Sequence, residues 1–207
     1  MSGSSSSSDF DSDDFTDQNI LSLNRQNRNV LNDDRIDLLR LSKTFPDETI
    51  FHHFSKNLKA DHVSPTWTCF PEYPFTLGLK YPFSDLILNF FLTTKLCFPQ
   101  LMPMGWRLLH TLDQLNHHFG LDIGIPEISL MYQLRTHGSS RFVLQRRSGT
   151  PILVSGITFN EDEWRNRFFF VKRSSIPHGE ILPLKWLPNL SHSSQKKKIA
   201  EKESALY

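Results

Sequence analysis

Residues 64–83 read SPTWTCFPEYPFTLGLKYPF, and the rest of the chain is organised around them. Pro65, Pro71, Pro74 and Pro82 stand among Trp67, Phe70, Tyr73, Phe75, Tyr81 and Phe83. Proline fixes φ and removes an amide donor, so the stretch is predicted to be extended and non-helical. Its aromatic spacing predicts that it lies along the surface of a core and pins itself there. Aromatic, proline-rich chain also serves as a ligand for proline-reading modules. A clean PxxP flanked by basic residues is missing here, which favours packing.

Toward the C-terminus the period becomes helical. Ser84 can cap a helix running to about Cys97, with Asp85 in the first turn, where the helix dipole favours an anion. Leu86, Ile87, Leu88, Phe90, Phe91 and Leu92 occupy nearly every face of it, which predicts a central position. A second helix is predicted from Pro103 to Phe119, with Gly120 as its stop. Leu108, Leu112, Leu115 and Phe119 form its apolar stripe, flanked by Trp106 and Leu109. Pro126 opens a third helix, with Ile128, Met131 and Leu134 on one side, ending near Gly138.

The pattern then turns extended. Residues 141–147 (RFVLQRR) and 151–157 (PILVSGI) flank Ser148-Gly149, the signature of a hairpin. Glu161 to Asn166 reads as a polar helical turn. Phe168-Phe169-Phe170-Val171 is a strand without alternation, which predicts cover on both faces. The fold class is therefore α+β: about three core helices followed by a small three-stranded antiparallel sheet, with disordered termini.

On the N-terminal side, Asn29 to Lys43 has helical punctuation, with Asn32 as cap and Ile36 and Leu39 on one face. A second short helix is predicted from Asp47 to Leu58 around Ile50, Phe51 and Phe54. Both either dock on the main domain or order on binding. Ahead of them, residues 1–28 form a Ser/Asp-rich tail that cannot bury enough apolar surface to fold. It is either a solvated leader or an acidic interaction tail. The predicted organisation is thus a tail at 1–28, accessory helices or linker at 29–63, the α+β domain at 64–175, and a proline-containing then lysine-rich tail at 176–207. Lys196, Lys197 and Lys198 read as a solvated tail or a weak nuclear-import signal.

The chain has 207 residues, 38% of them apolar, and a net charge of +1. That length allows one domain with tails. The most apolar run, Leu86 to Leu92, contains Asn89, is followed by Lys95, and is far short of the ~20 residues a spanning helix needs. No membrane partner is expected. With only two cysteines, Cys69 and Cys97, and no apolar leader, the chain reads as an intracellular protein with reduced thiols.

Catalysis leaves no signature. No G-x-S-x-G elbow, phosphate-binding glycine loop or carboxylate triad appears. Glu72, Asp85, Asp113, Asp122, Glu127, Glu161, Asp162 and Glu163 fall mostly at caps, turns or solvent faces. His52, His53, His62 and Cys69 lie in one stretch, and His110, His117 and His118 share a helix, yet none has the paired spacing of a zinc site. No cofactor or metal is expected. The basic second half carries the one compositional signal of function. Arg141, Arg146, Arg147, Arg165, Arg167, Lys172 and Arg173 face few acids, a pattern suited to single-stranded nucleic acid through phosphate attraction and base stacking. A solvated strand face, or pairing with the acidic tail, is the favoured reading of the same pattern.

From Pro71 onward the sequence resembles the plant gypsy-type transposon domain family of retrotransposon-associated proteins. The likeness is carried by Phe75-Thr76-Leu77-Gly78-Leu79, Tyr81-Pro82-Phe83, Pro99-Gln100-Leu101 with Pro103, Trp106 and Arg107, and then Trp164 with Arg167-Phe168-Phe169-Phe170-Val171. It covers roughly half the chain. Met104-Gly105 departs from the pattern, where an asparagine is expected. The resemblance implies transposable-element ancestry without established catalytic residues, and a coiled-coil extension in longer members that this chain is expected to lack. The leading expectation is a retrotransposon-derived, non-enzymatic domain that binds a protein partner of unknown identity. A nucleic-acid-binding module for RNA or DNA is the second, and a transposase or nuclease the third.

Overall fold

The computed structural model describes residues 31–52, 59–62, 64–137, 140–154 and 163–187. The expected tail at 1–28, residues 188–207 of the expected tail at 176–207, the Phe54 end of the second accessory helix, and residues 155–157 of the expected hairpin lie outside them. Among the described residues, five α-helices and two separate two-stranded antiparallel sheets are present. The α+β mixture is as expected, but the single three-stranded sheet is not.

The proline-aromatic stretch is the largest departure. Trp67–Pro71 forms strand β1 and every residue in it is buried. It pairs with Phe168–Lys172, here β4, in the register Trp67↔Lys172 to Pro71↔Phe168. Pro71 is tolerated because it ends an edge strand, where no ladder amide is needed. Tyr73–Thr76 is a short helix (α2) with Pro74 in its first turn, a place where the missing amide had no partner to lose. Prolines thus end the strand and start the helix, rather than keeping the whole stretch extended on the surface.

β4 meets the expectation of double cover. Phe169 and Val171 face the main core, while Phe168 and Phe170 pack with Ala60, Trp67 and Cys69 on the other side. Its second edge is taken by residues 50–52: the Lys172 amide donates to the Ile50 carbonyl and the His52 amide to the Phe170 carbonyl, both at 2.9 Å. Residues 47–52 are therefore not helical as expected. Phe51 bridges Val171 instead.

The second sheet corrects two assignments. The third helix, α5, spans Ile125–Met131 and stops there. Tyr132–His137 forms β2, and pairs with Arg141–Arg146, β3, in the register Tyr132↔Arg146. Tyr132 and Leu134 are buried and Arg135 is exposed, a period of two that overrides the helical spacing of Ile128, Met131 and Leu134. Ser148-Gly149 is a turn as expected, but β3 pairs backward with β2, and residues 151–154 form no strand.

The remaining helices are close to expectation. Asn32 caps α1 (Asp33–Leu41) by accepting the Arg35 amide at 3.2 Å. α3 spans Asp85–Thr94, although the Ser84 side chain makes no cap hydrogen bond. α4 runs Pro103–Phe119 and stops at Gly120, whose φ of +62° suits glycine. Leu108 and Leu112 are buried, but Phe119, expected on the same stripe, is 71% exposed. At Gly105 a Cβ would come within 2.5 Å of the Leu101 side chain. No helix among the described residues is long and apolar enough to cross a membrane.

The core is an aromatic lattice around the fully buried Phe70. Its ring lies 5.3 Å from Phe45, 5.4 Å from Tyr81, 4.8 Å from Phe98 and 6.0 Å from Phe169. Phe98 continues to Phe91 and Phe91 to the fully buried Trp106. Leu31, Ile36, Leu39, Phe45 and Phe51 ahead of residue 64, and Ile176 and Leu182 beyond residue 175, belong to this same core. The packed body thus extends past 64–175 on both sides.

Residues 176–187 form a C-terminal strap that Gln100 pins. Its amide nitrogen donates to the carbonyls of Ser140 (3.0 Å) and Leu187 (2.7 Å), and its oxygen accepts the amides of Cys97 (3.2 Å) and Leu187 (3.1 Å). All four hydrogen-bonding positions of this buried side chain are filled, the condition under which a buried amide stabilises rather than penalises.

Phe45 tests whether the N-terminal segment is integral. Phe45→Ala in the full chain should lower the unfolding free energy by about 3–5 kcal/mol in urea titration. Leu41→Ala, at an 80% exposed position, should change it by no more than about 0.5 kcal/mol. Equal effects would mean that the segment is an appendage.

Candidate functional site: an arginine-rimmed apolar corner

The seven basic positions predicted as a site do not form one surface. Arg141 is buried. Its guanidinium is stacked between the rings of Trp164 and Trp186, 5.0 Å from each centroid, and donates to the Pro99 carbonyl. Burial pushes its pKa down to about 10, which leaves it charged at neutral pH. Arg173 is buried as well, donating to Thr68 Oγ1 (3.0 Å) and to the carbonyls of Glu180 (2.7 Å) and Leu182 (3.3 Å). The neighbouring strap is tight here, because a Cβ on Gly179 would sit 1.9 Å from the Arg173 carbonyl oxygen.

Arg167 pairs through Nε with one carboxylate oxygen of the buried Glu72, and Arg35 from α1 takes the other. Glu72 therefore ties the N-terminal helix to the turn before β4. Arg165, in the helical turn before β4, and Lys172, at the end of β4, are half-buried. Arg165, Arg167, Lys172 and Arg173 thus sit on or beside β4, whereas Arg141 opens β3 and is turned inward.

Arg146 and Arg147 stand apart, at the end of β3, on the second sheet. The Arg147 amide donates to the Met131 carbonyl at 2.8 Å, and its Nε to the Ser129 carbonyl at 2.9 Å. Thr150 Oγ1 also reaches the Met131 carbonyl, at 3.3 Å, and Arg146 Nη1 donates to the Thr150 carbonyl. These contacts hold residues 147–150 against the end of α5, so that Leu130 on that helix and Ile152 and Leu153 just beyond the turn flank the same tie, here called the corner. Leu130 is 71% and Ile152 65% exposed, and Leu153 is exposed too. Arg146 and exposed Arg135 belong to the same sheet.

Sequence reasoning pointed to the arginines of this corner but not to its aliphatic centre. Leu130 lies off the Ile128–Met131 stripe of its helix, and that offset was the available signal. Ile152 and Leu153 were assigned to a strand, which hid them.

The thiols mark a different place. Cys69 and Cys97 are free and line a cavity of about 20 Å³, room for about one water, with Asp61, His62 and Trp186. Burial pushes the Cys69 thiol well up and Cys97 up to about 12. Burial also lowers His62, with Asp61 opposing. Protonated thiols are poor nucleophiles and poor metal ligands. No group of three His, Cys, Asp or Glu side chains that could hold a metal occurs among the described residues. The Glu127 carboxylate caps α5 through the Gly124 amide at 2.8 Å, and Glu72 is held between two arginines, so both are engaged in architecture.

Fold and site together define a mixed helix and sheet body with exposed aliphatic side chains and arginines at the end of α5 and the turn tied to it. No family model, no curated protein and no solved structure matches the chain.

The thiol environment has a measurable consequence. Alkylation of the folded chain with iodoacetamide near neutral pH should be much slower at Cys69 and Cys97 than in urea, read by mass spectrometry. Raising the pH to about 9, the ordinary thiol range, should accelerate it little. The folded-state values lie above the unfolded ones, so these thiols favour folding fully below about pH 9. That contribution declines as pH rises toward the folded values.

Proposed function

We propose that the chain is a retrotransposon-derived, non-enzymatic protein-interaction domain whose contact face is the corner of Leu130, Ile152 and Leu153 rimmed by Arg146 and Arg147. The observation that carries this reading is the exposure of Leu130 on α5 and of Ile152 and Leu153 beyond the turn that Arg147 and Thr150 tie to the end of that helix. Exposed aliphatic clusters mark interaction surfaces, and arginine is the charged residue most favoured at them. The matching partner is a protein segment that presents acidic and apolar side chains together. Retroelement ancestry is supported by the resemblance that runs from Phe75 to Val171, and an intracellular setting by the two free thiols.

A second reading, binding of RNA or DNA, would draw on exposed Arg135 and Arg146, which the register sets on opposite faces of the second sheet. It has lost Arg141 and Arg173 to the interior, and no aromatic platform accompanies the remaining arginines on β2 and β3. A transposase or nuclease would have to show metal-dependent strand cleavage that a single carboxylate substitution abolishes.

The test is affinity capture with the full chain and with Leu130→Glu/Ile152→Glu, after thermal melting has shown that the variant stays folded. The double variant should bind the captured protein at least about tenfold more weakly, equivalent to 1.4 kcal/mol. Retention of the partner by the variant would remove the corner from the function. Salt-sensitive RNA or DNA binding lost in Arg146→Ala/Arg147→Ala would move the assignment to the second reading.

A further inference from the structure

The corner lies in a stretch of one charge sign. Residues 128–154 contain Arg135, Arg141, Arg146 and Arg147 and no Asp or Glu. Arg141 is buried and the register puts Arg135 on the face of the sheet opposite Arg146, so exposed Arg146 and half-buried Arg147 carry the charge at the corner. Near the opposite end of the chain, residues 9–21 read DFDSDDFTDQNIL. That segment carries Asp9, Asp11, Asp13, Asp14 and Asp17, no Lys or Arg, and Phe10, Phe15, Ile20 and Leu21. It has the acidic and apolar chemistry that the corner would recognise, in the same molecule.

We propose that residues 9–21 dock in cis on the corner of Leu130, Ile152, Leu153, Arg146 and Arg147, as an autoinhibitory contact that a protein partner must displace. This rests on the corner being a contact face, as argued above. Leu31 is buried and anchors the chain before α1. From there Phe15 can extend about 50 Å at ~3.3 Å per residue. A compact body of this size has a radius of gyration of about 14 Å, so the segment reaches any face. Tethering supplies an effective concentration in the millimolar range, enough for a weak contact of a few aromatic and charged groups. A second copy of the corner is a poor occupant, because it would set arginines against arginines.

The experiment uses the full chain labelled with ¹⁵N, compared with Asp11→Asn/Asp13→Asn/Asp14→Asn/Asp17→Asn and, separately, with Phe10→Ala/Phe15→Ala. Both variants should shift the amide signals of Leu130, Arg146, Arg147 and Ile152 and leave those around Phe70 in place. Salt at about 0.5 M, where screening is within a few ångströms, should shift the wild-type corner signals in the same direction. Tail variants should also bind the captured partner at least threefold more tightly. Unmoved corner signals, shifts confined to another surface, or shifts that scale with protein concentration would each overturn docking in cis. Corner shifts with partner capture unaffected by Leu130→Glu/Ile152→Glu would sink the proposed function and leave this contact standing. Partner loss in that variant without tail-dependent shifts would do the reverse.

Discussion

The structure depends on the pairing of β1 with β4. It joins residues 67–71 to 168–172, about a hundred positions apart, and both faces of the ladder are covered. One face supplies Phe70, Phe169 and Val171 to the aromatic lattice, and the other supplies Trp67, Cys69, Phe168 and Phe170 to a smaller cluster. Edge-to-face and offset ring pairs of this kind contribute about 0.5–1.5 kcal/mol each beyond their buried area. The free edge of β4 then recruits residues 50–52. The N-terminal segment is therefore held by sheet hydrogen bonds and core packing, with the Arg35–Glu72 pair as a further tie.

Around that ladder, buried polar groups connect elements that are far apart in sequence. Glu72 joins Arg35 to Arg167, Gln100 joins the 140 loop to Leu187, and Arg141 is held between Trp164 and Trp186. Arg173 gathers Thr68 and the carbonyls of the strap. Removing any one of these would leave a buried partner without its hydrogen bond, which is where the penalty lies. The basic character of the second half of the chain is thus divided between architecture and surface, and only the arginines near β2 and β3 face outward beside aliphatic side chains.

How far the sequence could be read depended on the range of the interaction involved. α4 and its Gly120 stop, the Asn32 cap, and the two covered faces of residues 168–171 were legible because local spacing and capping chemistry produce them. Trp106 was legible as a flank of the α4 stripe, whereas Phe70, read as lying along the surface of a core, is its fully buried centre. β1 was hidden because prolines at 65, 71 and 74 mask a five-residue strand, and β2 because Ile128, Met131 and Leu134 imitate a helical stripe. The basic site was misjudged for a related reason: a count of arginines does not record which of them find a carboxylate, an indole pair or a carbonyl.

The sequence by itself determined the α+β class, the aromatic core between residues 70 and 171, and the positions of three helices, since these arise from periodicity and caps within a few residues. Tertiary structure alone decided that the strands pair first with last and second with third. It also buried Arg141 and Arg173, and gathered Leu130, Ile152 and Leu153 into one exposed corner. Those outcomes depend on which distant groups satisfy one another's hydrogen bonds and cover one another's apolar surface, and no local pattern encodes that choice.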